Sequence, residues 1–170
     1  MKKKMNVQTL VTLGVLIAME IILSRFLSIS AWNIKIGFNF IPVAIAAITY
    51  GPIAGGIVGG LGDLVGAVVF PIGAYFPGFT LTAVLSGVVL GLFLHKKQTF
   101  IRLVCGVAIN QLILGLFVNT LWISILYGSP YGALFVTRIF QSMVLIPVQI
   151  IVIGSITKVI RIYAGMRAAV

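Results

Sequence analysis

Two acids, one arginine and a row of amides, each set inside an apolar run, are the residues of this chain best suited to chemistry. Asp63 and Glu20 are its only carboxylates. A charged group in a bilayer is costly and marks a pathway or a ligand site. Asp63 has no basic neighbour at helical spacing, so its partner comes from another helix or from a ligand. A helix cap or a hydrogen bond to a glycine-lined neighbouring helix is an equal alternative. Glu20 has Ser24 one turn later and reads as locally satisfied. Gln111, Gly115, Asn119 and Trp122 are spaced by four, four and three, which is one α-helical face. Amides beside an aromatic plane suit a flat heteroaromatic ligand with donors and acceptors on its edge. An interhelical polar seam, or for Trp122 an interfacial anchor, is the alternative. Arg138, Gln141 and Gln149 share a second face, and a guanidinium is the preferred partner of a carboxylate. Gly78, Thr82 and Ser86, spaced by four, read first as close helix packing. Tyr75 and Phe76, in the loop PIGAYFPG, can close a lid or anchor at an interface.

Other chemistries lack their residues. There is no GxxxxGK[ST], HExxH or GxSxG, and no Cys/His cluster. Enzyme chemistry therefore has no support, and no metal or cofactor site is indicated. The single Cys105 lies in an apolar run as a small core residue, and the single His95 sits in a basic linker. No inverted repeat is evident, which argues against a self-contained pump.

The elements that must hold these residues are membrane helices. Of 170 residues, 61% are hydrophobic and 8% charged, against about 25% charged in a soluble domain. The chain reads as one membrane domain over 1–170. Apolar runs predict six transmembrane helices, over about 7–28, 38–50, 53–70, 79–94, 103–126 and 133–162, with Gly51-Pro52 breaking the second from the third. The first run is longer than the roughly 7–15 residues of a secretory leader and is taken as a helix. The net charge of +10 falls in clusters between apolar runs, the pattern of membrane topology, and leaves no water-exposed basic face for nucleic acid. With both termini cytoplasmic, nine of the 12 basic residues lie inside, leaving Arg25, Lys35 and Arg138 outside. Asp63 then lies about 16 Å along its helix from Pro52 at 1.5 Å per residue, near the middle of a core about 30 Å thick. The polar groups gather in the outer half.

Several segments resemble a known family. RFLSI at 25–29, the run from Lys35 to Gly87 that includes GAYFPGFT, NTLWISILYG at 119–128 and RIFQSMVLIPVQI at 138–150 are similar to substrate-binding S components of energy-coupling factor vitamin transporters, specifically the folate-specific type. The resemblance implies an all-α, six-helix protein of the bacterial plasma membrane with a ligand pocket in its outer half. It implies loops after helices 1 and 3 that close over the pocket, and a complex with a scaffold transmembrane subunit and two ATPase subunits. Toppling of the whole subunit would then release ligand inside. The scaffold contact of the family falls on Gly14 and Ala18. For folate, Asp63, Gln111 and Asn119 would meet the pterin edge, and Trp122, Tyr75 and Phe76 would sandwich the rings. Arg138, with Gln141 beside it, and Arg25 and Lys35 would meet the carboxylates, and Asn33, Phe38 and Asn39 would complete the lid. Ala18 and Arg25 are seven apart, so one face of helix 1 must serve scaffold and ligand at different depths. The alternatives are another vitamin (a flavin, thiamine or a queuosine precursor) or an ion-coupled carrier using Asp63 and Glu20. Thiamine, a cation, would sit badly among three outer cations.

Overall fold

A computed structural model describes residues 6–31 and 34–168. The chain forms α1 (Val7–Arg25), a short hairpin of β1 (Ile29–Ala31) and β2 (Ile34–Ile36), then α2 (Phe40–Tyr50), α3 (Pro52–Val69) and α4 (Pro77–Leu94). A long fifth span follows as α5 (Phe100–Ala108), a π-helical segment (Ile109–Val118) and α6 (Asn119–Tyr127). The last helix is α7 (Tyr131–Ala168). Five of these helical spans are long and apolar enough to cross a membrane. α2 has eleven residues, about 16 Å of helix, and falls short of a bilayer core of about 30 Å.

Glycine and proline set most of the boundaries. Gly51 takes φ +100°, open to a residue without Cβ. It ends α2, and Pro52 opens α3 at its first position, where the missing N–H costs nothing. Pro77 opens α4 in the same way. Pro147 lies inside α7 without ending it, a loss that neighbouring helices make tolerable within a membrane. The segment after α1, expected as a plain loop, pairs Ile29 with Ile36 and Ala31 with Ile34 in antiparallel register. Its alternation is too brief to register as a strand signal.

Packing separates the bundle into two ends. The base end carries the Gly51 turn and the 95–99 linker; the mouth end carries the hairpin, the 70–76 loop and the 128–130 turn. At the base, Ala44, Ala47, Leu90, Leu94, Val107 and Ile153 form a fully buried apolar cluster. α3 and α4 meet backbone to backbone there: a Cβ on Gly55 would lie 2.6 Å from the Gly87 carbonyl. His95 Nδ1 lies 3.0 Å from the Ile48 carbonyl oxygen and packs its ring on Gly51, tying α4 to the end of α2. The outward surface is apolar: Val7, Val11 and Val15 of α1, Ile53 and Val68 of α3, and Phe140, Met143 and Ile151 of α7 are all exposed. A water-soluble domain does not display such contiguous surface; this one faces lipid.

Candidate functional site

The mouth end encloses a cavity of about 400 Å³ walled by α1, α2, α3, α4, the fifth span and α7. That is within the ordinary range for small-molecule sites. Unlike the base, its walls are polar and buried at once.

One wall is an ion-pair assembly. Arg25, at the last turn of α1, reaches α3, where its Nη2 lies 3.7 Å from Asp63 Oδ1 and donates to the Asp63 carbonyl oxygen at 3.3 Å. The guanidinium lies across Gly66, where a Cβ would stand 2.9 Å from Nε, so the glycine opens the path. The Thr80 hydroxyl donates to Asp63 Oδ2 at 2.8 Å, and the Tyr75 hydroxyl lies 3.2 Å from that of Thr80. Both carboxylate oxygens of Asp63 are thus engaged. A chain of contacts joins the 70–76 loop to the end of α1. The two faces of α1 also separate: Gly14 and Ala18 are exposed on its outer surface, with nothing within 4 Å of a Cβ at Gly14, whereas Arg25 folds inward.

A second wall is aromatic. Tyr75, Phe76 and Phe79 line the cavity. Phe76 packs edge-on against Phe79 at 6.1 Å between centroids and tilts against Trp122 at 5.5 Å. Trp122 stands behind Phe76 rather than on the cavity wall, and its Nε1 donates to the Thr82 hydroxyl at 3.0 Å. Phe38 also lies off the wall, exposed and packed near Phe40, while its neighbour Asn39 lines the cavity.

The third wall carries amides and a cation. Gln111 and Asn119 from the fifth span, and Arg138, Gln141 and Gln149 from α7, all line the cavity. Asn110 and Ser142 line it too. Arg138 is 8% exposed. Among the described residues, Asn119 Oδ1, Arg138 Nη1, Gln149 Oε1 and Arg25 Nε are buried without a hydrogen-bond partner. Buried polar atoms are nearly always paired, and each orphan costs about 1–3 kcal/mol. Several of them share this one cavity. Glu20 is buried on the wall as well. The Ser24 hydroxyl expected to satisfy it donates instead to the Ile21 carbonyl oxygen at 3.4 Å.

Most residues singled out in the sequence therefore converge: Arg25, Asn39, Asp63, Tyr75, Phe76, Gln111, Asn119, Arg138 and Gln141 share the cavity. Asn33 lies outside the described residues, and only the backbone of Lys35 is described, paired with Ser30. Trp122 departs for a structural reason. Within α6 a step of four residues from Asn119 reaches Ile123, which lines the cavity, whereas the step of three to Trp122 turns its ring aside, behind Phe76. Ser142 carried a legible signal, being one turn beyond Arg138; Asn110 carried none under α periodicity. Among the described residues, no group of three His, Cys, Asp or Glu side chains could hold a metal ion.

Comparison with known proteins points to one family. The sequence model of the family described as "ECF transporter, substrate-specific component" matches residues 8–156. A folate transporter FolT of Clostridium novyi (strain NT) is 41% identical over 159 residues, covering 93% of this chain and 91% of the relative. A folate transporter FolT of Leuconostoc mesenteroides is 29% identical over 154 residues, covering 86% and 83%. A crystal structure of FolT bound with folic acid superposes with a TM-score of 0.80 at 34% identity, over 85% of this chain and 88% of that one.

Proposed function

The chain belongs to the substrate-specific components of ECF transporters, and from that premise we propose that the mouth cavity captures folate for uptake. The protein is a transport subunit and not an enzyme. The observation that carries the reading is the set of buried, unpartnered polar atoms around one cavity, contributed by two arginines and by amides. Folate offers groups for both: a flat pterin with alternating donors and acceptors, a benzoyl linker, and a glutamate with two carboxylates.

In this assignment Arg138 takes a carboxylate through its free Nη1, with Gln141 beside it. Arg25 turns its Nε to the ligand while Asp63 holds the rest of its guanidinium. Asp63 thus acts through Arg25. Gln111, Asn119 and Gln149 read the pterin edge, and Tyr75 and Phe76 cover the rings with Trp122 bracing them from behind. Asn39 lies at the entrance, and Asn33, Lys35 and Phe38 belong to the lid. The bias of basic residues sets both termini in the cytoplasm and the mouth outside, in the plasma membrane of a bacterium. Membership of the family supports a complex with a scaffold transmembrane subunit and two ATPase subunits, which supply the nucleotide chemistry this chain lacks. The exposed notch at Gly14 and Ala18 is where the scaffold would seat.

The test is direct binding to the purified chain. Arg138→Ala removes a charged hydrogen-bond partner worth about 3 kcal/mol, so folate affinity is expected to fall roughly a hundredfold. Unchanged affinity removes Arg138 from the site.

A further inference from the structure

We propose that the π-helical segment is a register device that turns Asn110 into the cavity as a ligand-contacting residue beside Asn119. The ligand arm of this proposal rests on the folate reading; the register arm does not. Nine residues separate Asn110 from Asn119. In an α-helix of 3.6 residues per turn that is two and a half turns, and the two amides would point to opposite sides of the span. Leu112, seven residues before Asn119, would instead share its face. The structure has the reverse arrangement. Asn110 and Asn119 both line the cavity, whereas Leu112 is 41% exposed on the outer surface and absent from the wall. Hydrogen bonds from i to i+5 close a turn between four and five residues, so nine residues make about two whole turns. The segment's ten residues supply that rotation.

The exchange has a chemical purpose. A leucine beneath Asn119 would give the cavity wall an apolar patch; the π register replaces it with a carboxamide. Asn110 is 8% exposed, and its side chain forms no hydrogen bond with another described residue, while Asn119 Oδ1 is buried and unpartnered. Gly115 sits between them on the same wall, and a Cβ there would stand 2.9 Å from Gln111 Oε1. The small residue thus leaves room for the Gln111 carboxamide on that wall. Two carboxamides offer paired donors and acceptors, the complement of a 2-amino-4-oxo heterocycle edge. π-helical turns are rare and are found frequently at functional sites. Here the function is to select which side chain faces the ligand.

The experiment uses the full-length chain in detergent with Cys105→Ser, so that Asn110→Cys or Leu112→Cys supplies the only thiol. Each variant is labelled with trimethylammonioethyl methanethiosulfonate, a small permanently charged reagent confined to water. The cysteine at 110 is expected to label at least tenfold faster than that at 112, and folate is expected to slow labelling at 110 by a further tenfold. Faster labelling at 112 than at 110 overturns the register. Labelling at 110 that folate leaves unchanged, in a sample whose tryptophan emission responds to folate, overturns the ligand contact. If the parent chain shows no folate response, the folate reading fails while the two labelling rates still decide the register. Asn110→Ala, made in the unaltered chain, checks the same contact without a cysteine: affinity is expected to fall about tenfold with an unchanged melting temperature. Unaltered affinity counts against the proposal.

Discussion

The base and the mouth of this bundle are equally buried and oppositely built. At the base, Leu90, Leu94, Val107 and Ile153 have no exposed surface, and every member of their cluster is apolar. At the mouth, residues of similar burial are polar: Glu20, Asn110, Arg138, Ser142 and Gln149 are all 8% exposed or less. The base satisfies itself by contact of small residues, as in the approach of Gly55 to Gly87. The mouth leaves Asn119, Arg138 and Gln149 with unpartnered atoms. Within a lipid surround, where the hydrophobic effect does little between helices, tight contact is what holds the bundle together. The polar mouth therefore subtracts from stability, a cost that a bound ligand would offset. One end is stable so that the other can be left incomplete.

Substitutions at the two ends should then move stability and binding independently. The largest effect is expected from Gly55→Leu, whose side chain has nowhere to go against the Gly87 backbone. Folded, monodisperse protein should be lost on size-exclusion chromatography, and binding with it. Next comes Arg138→Met. It should lower folate affinity roughly a hundredfold, by about 3 kcal/mol, while raising the melting temperature of the free protein, because a buried unpartnered guanidinium is exchanged for a side chain that fits an apolar site. A fall in both would mean that Arg138 belongs to the structural half. Asp63→Asn should loosen Arg25 without removing it, giving about a tenfold loss of affinity with nearly unchanged melting. Smallest is Thr82→Val, which deprives Trp122 Nε1 of its acceptor. About 1 kcal/mol is expected, seen as a few-fold weaker affinity and a shift in tryptophan emission.

What the sequence made legible follows the same division. The helices were readable because apolar runs of bilayer length end at Gly and Pro: α3, expected at 53–70, spans Pro52–Val69, and α4, expected at 79–94, spans Pro77–Leu94. The acids and cations within those runs were readable because a bilayer makes each of them conspicuous. Pairing was not. Arg25 and Asp63 are 38 residues apart, and no local pattern joins them. Nor does the π-helical segment leave a mark in composition, since INQLILGLFV differs little from any apolar helix. Spacing rules therefore overlooked Asn110. The strands of the hairpin, three residues each, are too short to display their alternation. Periodicity finds elements, then, and only tertiary packing reveals which side chains meet.

The central claim is that the mouth cavity is a folate site, and titration of folate into the purified chain tests it most directly. Tryptophan emission is the readout, because Trp122 packs on Phe76 of the cavity wall, with riboflavin and thiamine as controls. Saturable, equimolar quenching by folate alone, shifted to roughly a hundredfold higher concentration by Arg138→Ala, is the predicted result. A folded sample that responds equally to all three vitamins, or to none, would contradict it.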